Sequence, residues 1–400
     1  MATGAGIESA PGKPNFAFLS GGFRPFFLLG SVWAIVVLAL FGEAIVGRFA
    51  LPAAVDPIAW HRHEMLFGYL GAVVGGFLLT AVPNWTGCKP ITGIPLLALV
   101  LLWAAARLAI LYSSRIGIPA AALLDSGFLL VMASIAGVEL YAARNRNVPV
   151  VLLTVALAAA AALDLAEAGG TFAPRGTGYR LAIGVILTMV MLIGGRLIPT
   201  FTRNWLIKRG VEPSLPLPMQ RFDLLALAAA VAGLLAWAVA PEARATGFAL
   251  AGAGLLQLIR LARWQGWRTG AEPLVTILHI AYLWVPVGLL LLGLANISAL
   301  VPASSGLHAL TVGAFAGMTL AVMTRASLGH TGRELHADFP TVAIYFLITV
   351  AALIRVAAPM LPIDYMRSIH IAAIAWMGAF ALFLLNYGPM LARPRADGKV

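Results

Sequence analysis

Apolar residues in this chain arrive in runs of about 20, the length a helix needs to cross the hydrocarbon of a bilayer, and the runs follow one another from residue 24 to residue 391. With 61% hydrophobic and 11% charged residues over 400 positions, no soluble domain hides so much apolar surface. Period-2 alternation is absent, and Ala, Leu, Val and Gly fill the runs, so the spans read as helices and not as barrel strands. The expected fold is all-α, a polytopic transmembrane helix bundle of about 12 spans. They fall near 24–47, 63–84, 92–112, 118–142, 149–169, 179–200, 221–240, 244–262, 273–295, 306–326, 339–358 and 366–391. The longest connection is 200–221. Tails at 1–22 and 393–400 flank a single domain at 23–392.

The net charge of +11 is no nucleic-acid footprint, because the basic residues sit in short loops where they set orientation. With the amino terminus placed in the cytoplasm, 17 of the 27 lysines and arginines fall on the inner side and 7 on the outer. Both termini are therefore expected in the cytoplasm. Residues 1–22 lack an apolar core, so no cleavable signal sequence is expected. The single cysteine, Cys88, excludes internal disulfides and thiolate clusters, which leaves histidine as the main metal ligand. No six-plus-six repeat is visible.

Orientation turns the seven histidines into a pattern. His61 and His63 open span 2 at its outer end, His308 opens span 10 there, and His370 lies one turn into span 12. His279 sits about 9 Å in from the inner boundary of span 9, and His330 and His336 belong to an inner loop. Imidazoles from different helices of a bundle hold haem iron or copper in membranes; the bland alternative is histidines at the headgroup level bonded to water.

On a helix His61, Glu64, Gly68, Gly71 and Gly75 share one stripe, which admits either a flat macrocycle or a neighbouring helix. His63 then lies about 200° away, and the two histidines serve one ion only if residues 61–63 are extended. Glu64 is the candidate for proton handling, or else the partner of His61 or Arg62. Asp125 and Arg107, at similar depth, read as an ion pair. Arg355 suits a haem propionate or snorkels to the interface.

The blocks "FRPFFLLG" (23–30), "WHRHEMLFGYLGAVVGGFLLTAVPNWTG" (60–87), "IGGRLIPTFTRN" (193–204), "LHIAYLW" (278–284), "HALTVGAFAGMTLAVMTRASLGHTGREL" (308–335) and "RPRADG" (393–398) together resemble the NnrS family. The resemblance implies a bacterial inner-membrane protein with haem b and copper, linked to denitrification and to protection against nitric oxide. By motif it implies His61, His63, His279, His308 and His330 at metal sites, with Glu64 close by. His370 lies outside the blocks. Inner-side and outer-side histidines cannot share one centre, so two centres, or a broken helix carrying His279 toward mid-membrane, are expected.

Three functions follow as expectations. One is reduction of NO to nitrous oxide, with haem and metal on His308 and one of His61 or His63, Glu64 relaying protons, and quinol or another donor supplying electrons. The others are NO binding or sensing without turnover, and transport of haem, copper or a small anion. The expected partners are NO, an electron donor and membrane lipid.

Overall fold

The computed structural model describes residues 17–171, 176–211, 214–298 and 301–398. Residues 1–16 of the first tail and 399–400 of the second, and the outer-side position Arg175 counted in the orientation, lie outside the described residues. The described chain is helical without strands, and 12 of its helices are long and apolar enough to span a membrane. These are α1 (Phe23–Ile45), α2 (Pro57–Thr86), α3 (Gly93–Leu111), α4 (Ile118–Ala142), α5 (Val148–Ala168) and α6 (Thr177–Lys208). The second half comprises α7 (Arg221–Val239), α8 (Arg244–Arg268), α9 (Pro273–Ile297), α10 (Ala303–His330), α11 (Phe339–Ala357) and α12 (Tyr365–Ala392). An even number of crossings leaves both chain ends at one face, called here the terminal face; the opposite one is the far face. Arg24 at the start of α1 ties them by donating to the Leu391 (2.9 Å) and Arg393 (2.6 Å) carbonyls.

Hydropathy located the spans but shortened several of them. α2 starts at Pro57, six residues before the expected 63, because Asp56 caps the Ile58 and Ala59 amides (2.9 and 3.0 Å) and Pro57 presets the first turn. α6 runs on to Lys208 through Pro199, and α10 covers 303–330 instead of 306–326. These additions include the polar residues that interrupt the apolar runs, such as Arg62, Arg203 and His330, and helical geometry continues through them.

Burial is unequal. The apolar windows of α2, α10 and α9 are 72%, 67% and 61% buried, against 39–50% for the other nine, so these three form the centre. Glycines let the backbones meet. A Cβ on Gly293 of α9 would lie 2.7 Å from the Gly247 carbonyl of α8, and one on Gly306 of α10 would lie 2.7 Å from the Leu292 amide of α9. α9 is thereby wedged between α8 and α10.

α5 and α6 meet still more closely. A Cβ on Gly178 would stand 2.4 Å from the Asp164 amide nitrogen and 2.5 Å from its Cα, while Glu167 caps the Thr177 and Gly178 amides at 3.1 Å each. Backbone atoms cannot yield as side-chain tips can. Gly178→Ala is expected to force the two helices apart and cost about 1–3 kcal/mol, read as a lowered midpoint of thermal aggregation in detergent. A midpoint equal to that of the parent would refute the contact.

Candidate functional site

The far-face turn of α2 is helical through Pro57–His63, so the extended alternative for 61–63 does not hold and the two histidines point to different neighbours. A π-helical stretch, Glu64–Tyr69, follows directly. Widening the helix frees the Gly68 carbonyl, which accepts a hydrogen bond from Trp103 Nε1 (3.0 Å). α10 repeats the arrangement: a short turn ending at His308, then a π-helical stretch, Ala309–Ala316. Tyr69 and Thr319, each just past or at the end of one stretch, bond through their hydroxyls and couple the two helices.

His61 and His308 are brought together. His61, His308 and Arg355 lie within electrostatic range of one another, from α2, α10 and α11. The His61 ring stacks on Phe41 of α1 at 4.2 Å, and its buried Nδ1 has no hydrogen-bond partner. His308 Nδ1 donates to the Ser304 carbonyl (2.7 Å), which fixes the tautomer and leaves Nε2 as a lone-pair donor. A backbone carbonyl behind the ring is the usual support of a metal-binding imidazole. Arg355 bonds to the Tyr365 side chain, and its buried Nη1 is unpartnered. The cluster thus offers one imidazole nitrogen on each histidine and one guanidinium nitrogen, the donor chemistry that a metal-bearing or anionic group would use.

His63 is placed otherwise. Its Nδ1 lies 2.9 Å from Asp164 Oδ2 and its Nε2 3.1 Å from Asp125 Oδ2, and the ring is 1% exposed. These contacts require two hydrogens shared between the ring and the two aspartates, so neither nitrogen is free for a metal. Asp164 also accepts from Arg62 Nη2 (2.7 Å), and Asp125 accepts from Arg107 Nη2. Arg107 Nη1 reaches Glu64 Oε2 (2.8 Å), which accepts from Trp33 Nε1 as well (2.6 Å). Arg62 covers the Tyr179 ring at 4.5 Å. This network joins α1 to α6.

Several expectations are thereby corrected. Glu64 partners Arg107 and Trp33, not His61 or Arg62. The Arg107–Asp125 ion pair is present. The glycine stripe receives protein and no macrocycle: Gly68 lies under the Glu64, Trp33 and Arg107 side chains, Gly75 meets Phe128 of α4, and Gly76 meets Phe26 and Phe27 of α1. His370 faces outward, exposed.

At the terminal face, His330 packs beside Phe23 with ring centres 5.4 Å apart. His279 hydrogen-bonds Thr202 Oγ1 (2.8 Å) and lies under Gly266, where a Cβ would be 2.6 Å from its Nδ1. α9 is continuous from Pro273 to Ile297, so His279 stays at that end. Among the described residues, no three of His, Cys, Asp and Glu are grouped to hold a metal, so the copper expected on several imidazoles finds no assembled ligand set.

Sequence reasoning missed Asp164, although a carboxylate inside the apolar run 149–169 was a signal. It also missed a second buried network, in which Arg260 donates to Asp223 Oδ1 (3.0 Å), Tyr282 (2.9 Å) and the Met191 carbonyl (3.2 Å). Gly195 of the "IGGR" block makes room for it, because a Cβ there would fall 1.9 Å from Arg260 Nη2.

Compared with protein-family models, the chain matches the one described as NnrS protein over residues 17–395. Comparison with curated proteins gives no match.

Proposed function

Because the chain belongs to the NnrS family, we propose that it is a haem-containing protein of the nitric oxide response in the bacterial inner membrane, both termini in the cytoplasm, which binds NO at a haem b held by His61 and His308 and reduces it to nitrous oxide. The observation that carries this reading is the convergence of His61 and His308, from two of the three most buried helices, with Arg355 of α11, where His61 Nδ1 and Arg355 Nη1 are buried without a partner.

Haem bound there would supply an iron for NO and for one-electron transfer. The protein's own part is orientation. The Ser304 carbonyl holds the His308 ring in one tautomer, Phe41 fixes the plane of His61, and Arg355 is available to a carboxylate. Turnover consumes two NO, two electrons and two protons, and yields nitrous oxide and water; a quinol is the electron donor in this reading. Copper enters only if a ligand set assembles that the described residues do not present.

A second reading, NO binding or sensing without turnover, is favoured by the pairing itself, since a haem taken by both imidazoles would offer NO no position that a ring does not already contest. One measurement separates the readings: the reduced-minus-oxidised optical spectrum of the purified protein in detergent, before and after NO. A b-type spectrum that shifts and recovers while reductant is spent is the expected result. A shift that stays is stoichiometric binding. No haem spectrum at all overturns the site.

A further inference from the structure

Three of the four buried tyrosines, Tyr69, Tyr345 and Tyr387, pair with threonine hydroxyls deep in the bundle, and the pairs are ordered by depth. At the terminal face, Asp338 accepts from Thr341 Oγ1 (2.5 Å), and Thr341 shares a 2.6 Å hydrogen bond with the Tyr387 hydroxyl. Tyr345, one turn further along α11, lies within electrostatic range of Tyr387 and bonds Thr324 of α10 at 2.6 Å. Thr319, five residues nearer the far face on α10, bonds Tyr69 of α2. Glu64 lies five residues beyond Tyr69; its Oε1 is buried and has no partner. All six hydroxyl-bearing residues lie on the four helices α2, α10, α11 and α12.

Tyrosines buried only for their rings need partners, but not partners arranged as a ladder. A hydroxyl both donates and accepts, so it can take a proton on one side and release one on the other. Three gaps remain: Tyr387 to Tyr345, which interact electrostatically without a hydrogen bond, Thr324 to Thr319, and Tyr69 to Glu64. Thr324 to Thr319 is about 7.5 Å of α-helix rise, and Tyr69 to Glu64 spans the π-helical stretch; bridging waters would have to cross each gap.

We propose that Asp338 and the Thr341–Tyr387, Tyr345–Thr324 and Thr319–Tyr69 pairs form a proton path from the terminal face to Glu64, one turn from His61 on α2. The path rests on the haem reading above and supplies what that reading requires. An electron added to a centre in low dielectric is costly unless a positive charge follows it, and NO reduction consumes one proton per electron. Each proton enters at Asp338, passes by exchange of hydroxyl hydrogens and arrives at the Glu64 carboxylate. No bond other than O–H is made or broken on the way. Burial raises the Asp338 carboxyl, but hydrogen bonds from Thr341 and Asn386 outweigh it and hold it below the usual carboxylate range, so it stands ionised as a collector.

The test needs no NO. The full-length protein is reduced, freed of reductant and oxidised with ferricyanide, which takes one electron and no proton. Proton release into weakly buffered detergent solution is followed with a pH-indicator dye, and haem oxidation by absorbance. The parent is expected to release a proton in step with haem oxidation, and Glu64→Gln none. Tyr345→Phe, Tyr69→Phe and Asp338→Asn are expected to release it at least about tenfold more slowly with an unchanged haem spectrum. Thr324→Val serves if a tyrosine variant fails to accumulate. A haem that oxidises without proton release, or hydroxyl variants as fast as the parent, overturns the path while leaving the haem reading intact. A parent without haem overturns both, and the spectrum alone reveals it.

Discussion

His61→Ala and His308→Ala are expected to accumulate in the membrane near the parental level yet retain little or no haem, whereas His63→Ala is expected to fail to fold. The three residues look alike in sequence; their surroundings separate them. His61 has an unpartnered Nδ1 and one ring contact with Phe41, so its removal costs the apoprotein about 1 kcal/mol. His308 loses one bond to the Ser304 carbonyl, also about 1 kcal/mol. If the two imidazoles hold a haem, deletion of either would remove one of its protein ligands, and affinity should fall about 100-fold. Removal of His63 instead leaves Asp125 and Asp164 buried without the proton-bearing group between them. Breaking such a buried pair costs about 3–5 kcal/mol. Membrane yield, size-exclusion profile and pyridine haemochrome content together check the three variants. Haem retained by both His61→Ala and His308→Ala would remove the site; a well-folded, haem-replete His63→Ala would remove the structural role given to the network.

Arg107→Met is expected to cost about as much stability as His63→Ala. Arg107 is 1% exposed and stands between Glu64 and Asp125, so its loss leaves two carboxylates facing each other without a cation. The expected cost is again about 3–5 kcal/mol, enough to exhaust much of the stability of an ordinary domain. The double variant Arg107→Met with Asp125→Asn removes one of the stranded charges and should recover part of that loss. Thermal unfolding in detergent, followed by tryptophan fluorescence, reads both. A single variant as stable as the parent, or a double variant no better than the single, would show that the charges do not act as one network.

Much of the fold was legible because the membrane makes it so. Apolar length locates helices when no backbone group can turn to water, and the twelve spans were found to within a few residues at most ends. The level of His61 and His308 was legible as well, since a helix converts residue number into depth. The blind spots were of one kind. Sequence shows which turn a histidine occupies, but its partners come from helices distant in the chain. Asp164 lies 101 residues from the histidine it clamps, and Arg107 lies 43 from Glu64. The glycine stripe was visible; that α1 and α4 occupy it was not.

By itself, then, the sequence determined a twelve-span helical membrane protein with four of its seven histidines at one face, because hydrocarbon thickness and helix rise leave few alternatives, and its motifs placed it in the NnrS family. The tertiary structure decided which histidine is free and which is bound. Azimuth, set by the π-helical stretches at Glu64–Tyr69 and Ala309–Ala316, and the glycine contacts that bring α5 onto α6 determine what each ring meets. Depth is a property of one helix, whereas a partner is a property of the bundle. His63 became a structural residue and His61 a candidate ligand for that reason.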